Sequence, residues 1–324
     1  DDADRFGELS LLLIEASKAK EVLCGVHVLV HSLIKPLVGN IHKTIQSLEH
    51  AYKVGMQYGQ ITFAMVSLLQ QCKCRFFIGK NLATTEKMIR ESAEDMMEYN
   101  QEICRKVAVL YRQTCLNLMG HSDDPEQLTG EAMNQQQFLA SGPGMILLQN
   151  FYYFRIWLAY ILGNYESALR LVKEGESFSP RFSCFFERRY FFVKGLVVFA
   201  AAHKIDRAEC KKLTNGSIEL LERSAIHAPS NFQHMALLLQ AESAFHDRNC
   251  ESATKYYEKA IKIATDNGFI QDEALACERA GIFHSTIQGE NDIANGYFLR
   301  AYSSYEKWGA YCKAHHVRKQ YSLH

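Results

Sequence analysis

The chain has 324 residues, about twice a typical domain, and its 48% apolar and 22% charged content with 5 prolines excludes disordered and collagen-like classes. Lys+Arg and Asp+Glu number 36 each, so no global field draws it to nucleic acid or to an anionic membrane. Ten cysteines are too dilute for a disulfide scaffold; several, such as Cys115 and Cys277, sit in apolar helical runs, and a reducing, cytoplasmic setting is expected. The chain opens on Asp1-Asp2 with no signal-peptide pattern, and further sequence is expected ahead of it in the native polypeptide.

The first elements are apolar and helical. GVHVLVHSLI places His27 and His31 on one helical face at i, i+4. It lacks the Glu of H-E-x-x-H, which favours packed histidines over a metal site. Cys72 and Cys74 point to different sides of a helix, and no C-x-x-C occurs. Gly79-Lys80 fails as a phosphate-cradling loop, because Cys74 stands at the first glycine position and Asn81 replaces Ser or Thr. Residues 121–144 read as a loop or subdomain boundary, in which Asp124 and Pro125 could open a helix. Met145 to Gly163 nears the length of a membrane span. Gln149, Asn150 and Arg155 interrupt it, and a mid-span Arg costs about 2.5–3.5 kcal/mol, so a buried helix and no membrane insertion are expected.

Three later segments share one pattern: a turn, a small residue, a larger one four later and a second small residue seven later. They are Gly163, Ala168, Val172, Gly175; Arg248, Ala253, Tyr257, Ala260; and Gly289, Ala294, Phe298, Ala301. Small residues let helices approach closely while the larger one fills the space beside them. Gly175 could alternatively end its helix. Loop-like positions at Gly39, Gly79, Gly120, Gly163, Lys204, Arg248 and Gly289 are spaced by 40 to 44 residues. This period holds two helices and two turns. It predicts an all-α fold, a tetratricopeptide-like α-solenoid of stacked hairpins with a repeat of about 42 residues. Strand signals are nearly absent, since Asn215-Gly216 lies between helical segments. The organisation is residues 1–120 as N-terminal repeats, 121–144 as loop or boundary, and 145–324 as C-terminal repeats. The last helix, with Lys313, Arg318 and Lys319, reads as a solvent-facing cap.

In tetratricopeptide arrays the first helix of each hairpin lines a concave groove. Counting back twelve from Ala168, Ala253 and Ala294 gives Ile156, Ala241 and Ile282 as interhelix packing positions. Tyr153, Trp157, Leu238, Glu242, Arg279 and Phe283 then face the groove as partner-binding candidates. The competing reading packs these aromatics between helices. No G-x-S-x-G occurs, and carboxylate pairs such as Glu91 and Asp95 have the spacing of a solvated helix face. No catalytic residue, metal ligand or cofactor site is assigned.

The C-terminal third carries a recognisable motif: Asn267-Gly268-Phe269, Glu273-Ala274-Leu275, Glu278, Ala280-Gly281, then Tyr305, Trp308-Gly309-Ala310 and Lys313. It resembles the tetratricopeptide-like region of large STAND-type multidomain ATPase/kinase signalling proteins. Earlier segments, including SLEHAYKVGMQYGQITFAMVSLLQQCKCRFFIGKNLATTE, are similar to that family's preceding repeats from about Ile41 onward. Gly59-Gln60 departs from its usual Gly-Asp turn. The resemblance implies a non-catalytic scaffold that binds a protein partner or another domain of its own polypeptide, with any ATPase, kinase or cyclase activity in flanking sequence. The alternatives are a free-standing adaptor and an all-α metalloprotein using His27 and His31.

Overall fold

The structure is a computed structural model that describes residues 2–180, 183–287 and 289–323. It is all helical; no strand occurs among the described residues. The helices are α1 (Asp2–Ser17), α2 (Lys20–Leu29), α3 (Lys35–Val38), α4 (Ile41–Gln57), α5 (Ile61–Phe77), α6 (Leu82–Glu98), α7 (Glu102–Met119) and α8 (Gln135–Ala140). They continue as α9 (Met145–Ile161), α10 (Tyr165–Glu174), α11 (Phe185–Ala200), α12 (Arg207–His227) and α13 (Pro229–His246). The last four are α14 (Cys250–Asp266), α15 (Ile270–Ser285), α16 (Asn291–Trp308) and α17 (Tyr311–Gln320). A π turn, Val30–Ile34, joins α2 to α3. Consecutive helices pack as adjacent antiparallel pairs.

Each expected turn falls at a helix end, and the local chemistry explains why. Gly79, Gly120, Gly163 and Gly289 take positive φ, as does Arg248, a conformation that reverses the chain with little cost for glycine. An amide or carboxylate then caps the next helix. Asn40, Asn81, Asn164, Asp206 and Asn249 accept backbone N–H groups at the starts of α4, α6, α10, α12 and α14, satisfying donors that a helix start leaves free. Gly175 ends α10, and a side chain there would collide with Tyr152. Asn215-Gly216 lies inside α12, which runs through it without a break. The expectation of a gap between helices there is corrected, because Thr214 and Ser217 are buried and anchor that face.

Where an outer helix would follow α7, residues 121–134 form an irregular strap. Its backbone is held by side chains of α7. Asn117 Nδ2 donates to the carbonyls of Pro125 and Gln127, while Gln113 Oε1 accepts from Ala132 and Met133 N–H. Asp124 Oδ1 accepts from Glu126 N–H, but a turn rather than a helix follows. One apolar cluster runs from Ile41 to Val317 and includes residues on both sides of this segment.

The hairpins also meet across long sequence distances. Asn231 on α13 donates to the carbonyls of Pro36 and Gly39 and accepts from Ile41 N–H. Gln271 on α15 donates to Phe77 carbonyl, and the ring of Phe76 meets Trp308. Gly79 lies so close to Gln271 that a Cβ would overlap it.

The small-residue pattern is at the helix contacts: Ala168, Ala253, Ala260, Ala294 and Ala301 are buried, with Val172, Tyr257 and Phe298 beside them. Ala253→Leu or Ala294→Leu should therefore overpack the interface and lower stability by about 1–3 kcal/mol in urea denaturation. Neutral behaviour at both would break the inferred packing.

Candidate interaction site

The six expected groove positions are all inside the protein, none more than 6% exposed. Tyr153 packs against Phe77 and Phe186, Trp157 stacks on Tyr160, and Phe283 meets Phe245 and Tyr257. Leu238 is equally enclosed. The helices that carry these residues are covered by their outer partners on one side and by one another on the other. An open groove at these positions is therefore corrected to a filled interior. Ile156 and Ala241 pack as expected, whereas Ile282 is only partly buried. It lines a cavity, and the neighbouring Phe283 takes the packing position. The register on α15 is offset by one.

Glu242 and Arg279 behave differently from the other four. Arg279 Nε and Nη2 donate to Glu242 Oε1 and Oε2 at 2.8 and 2.6 Å, and Tyr257 Oη donates to Glu242 Oε1 at 2.7 Å. The pair forms part of the wall of a cavity of about 480 Å³ that Tyr165, Phe199, His203 and Tyr321 also line. Burial alone would lower the Arg279 pKa, but Glu242 more than reverses this and holds it well above the usual arginine range.

Two further buried ion pairs use the same helix. Asp272 Oδ2 accepts from Arg189 Nη1 at 2.6 Å and from His234 Nε2 at 2.9 Å. Burial would raise the Asp272 carboxyl, yet Arg189 and His234 hold it below the usual range. Glu278 accepts from Lys313 Nζ at 2.6 Å and from Tyr305 Oη at 2.9 Å. Lys313 is thus an interior residue, and the solvent-facing cap expected for it is corrected by its partner on α15; burial lowers its pKa despite Glu278. Sequence reasoning assigned none of Arg189, His234, Asp272, Glu278 or Lys313 to a site. The available signal was charge inside otherwise apolar runs, as with Arg189 in FFERRYFFV.

The N-terminal helices present the opposite character. Phe6 is 70% exposed, and Leu9, Leu12 and Leu13 on α1 and Val22 and Leu29 on α2 are also exposed. On α1 these positions recur at helical spacing and form one apolar stripe. Lys20–Val38 is long and apolar enough to cross a membrane by length and composition. The segment expected to be a buried helix, α9, is exposed at Met145 and Ile146 and enclosed over most of its remaining length.

His27 and His31 stack at 5.5 Å between ring centroids, and His50 meets His27 edge-on at 5.6 Å. Among the described residues no group of three or more His, Cys, Asp or Glu is placed to hold a metal ion. Burial, then His27 and Lys35, pushes His31 down to about 4 against a partial opposing pull from Glu8, and burial with His50 lowers His27 while Glu15 opposes. No protein-family model and no curated protein matches the chain.

Two outcomes follow. Glu242→Ala should cost about 3–5 kcal/mol by stranding Arg279 in the interior, while the double variant Glu242→Leu, Arg279→Met should cost less, as read by urea denaturation. Separately, the unfolded chain binds more protons than the folded one between about pH 6.5 and 4 at His31, so stability falls as pH drops through that window. The Tm should fall from pH 7 to pH 5, and His31→Gln should reduce that fall.

Proposed function

We propose that this chain is a non-catalytic helical-repeat scaffold of the tetratricopeptide-like kind, engaging another domain of its own polypeptide. The observation that carries this reading is the exposed apolar stripe on α1, Phe6, Leu9, Leu12 and Leu13. In a stacked array each hairpin buries its apolar face only against a neighbour, and a helix with an apolar outer face calls for one. The repeat of about 42 residues and the resemblance to STAND-type multidomain ATPase/kinase proteins support the same assignment. Interactions of this kind couple a sensing domain to an output by shifting packed arrangements. The six positions Tyr153, Trp157, Leu238, Glu242, Arg279 and Phe283 would then act through the interior, with Glu242 and Arg279 reaching the cavity.

Site-specific photocrosslinking from the Leu13 position, placed within the native polypeptide, tests the proposal. Crosslinks into flanking sequence of the same chain are the expected result. Crosslinks to a separate protein would make it an adaptor, and a native product near 37.0 kDa without crosslinks would overturn the scaffold reading.

A further inference from the structure

The half-buried Lys73 on α5 differs from the buried Lys313 in its partners. Lys313 is matched by Glu278, and the half-buried Lys35 is matched by Asp4 and Glu8. Lys73 has no ion pair and no hydrogen bond among the described residues; its ammonium instead lies 5.4 Å from the ring centre of Phe186. It lines a cavity of about 60 Å³ formed by segments distant in sequence. Ser32 and Pro36 come from the α2–α3 segment, Lys73 and Phe77 from α5, and Cys184 and Phe186 from the start of α11. The walls are mainly apolar, and among the described residues that line it the amine is the one strongly basic group.

We propose that this cavity is a covalent docking site for a short-chain aldehyde, with the Lys73 amine as nucleophile. The neutral nitrogen attacks the carbonyl carbon, the carbinolamine loses water, and a C=N bond replaces the C=O bond. Amine and aldehyde thus give imine and water, with no oxidant or reductant. Burial favours the neutral amine by lowering the lysine pKa. Cys74 does not compete, because burial pushes its thiol up to about 12 and keeps it protonated. The volume suits a chain of a few carbons and lies below that of drug-sized pockets. An adduct there would touch these packed segments at once.

The test treats the full chain at pH 7 with limiting propanal and cyanoborohydride, which reduces the imine to a stable secondary amine, followed by peptide mapping. Lys73 should be labelled at least about tenfold faster than the exposed Lys87 and Lys262, a difference of about 1.4 kcal/mol in activation free energy. The excess should vanish in denaturant. Lys73→Arg should remove the fast-reacting fraction alone. Labelling at or below the surface rate in the folded protein would overturn the proposal, as would a fast rate that persists after unfolding.

Discussion

Helix α15 carries three charged residues into the interior, and the arrangement of the C-terminal hairpins rests on their partners. Asp272 reaches Arg189 on α11 and His234 on α13, Arg279 reaches Glu242 on α13, and Glu278 reaches Lys313 on α17. Taking such ions out of water costs several kcal/mol each, which close pairing and extra hydrogen bonds must offset. Tyr257 and Tyr305 supply those additional bonds. A helix displaced by one turn would leave a buried charge unmatched, so these contacts select one register among packings that apolar surfaces alone tolerate.

The same residues explain part of what the sequence displays. In the C-terminal motif, Glu278 and Lys313 form one of the pairs, and Tyr305 donates to the same carboxylate. Gly281 has no room for a side chain beside Phe298, where a Cβ would lie 2.5 Å from the ring. Trp308 is fully enclosed, and Gly309 takes φ +91° at the end of α16. Gln60, the departure from the Gly-Asp turn, donates to Lys20 carbonyl and accepts from Gly25 N–H. It thereby ties the α4–α5 turn to α2.

Hairpin turns were legible because glycine and a following cap act locally, as Gly163-Asn164 does. The closing contacts were not, since Asn231 and Gln271 are single polar residues whose partners lie about 190 positions away. The location of the candidate site was legible only in part. Glu242 and Arg279 were identified, but as groove residues rather than as an interior pair. The stretch FYYFRIWLAYI in α9 is apolar on every side except at Arg155, and a helix of that kind is enclosed rather than groove-lining. On α15 the offset between Ile282 and Phe283 arises because the large ring fills the space between Phe245 and Tyr257. Counting back twelve positions does not register that preference.

The bond between Asn231 and the Pro36 and Gly39 carbonyls sets a delay during synthesis. At about 5–20 residues per second, roughly 10–40 s separate the appearance of Pro36 from that of Asn231. Throughout that interval the amino-terminal hairpins emerge without the surface that later covers Ile41 and Phe77. A nascent chain in this condition offers an apolar face to chaperones or to neighbouring chains on the same message. Translation speed across α9–α13 thus sets how long that face stays uncovered.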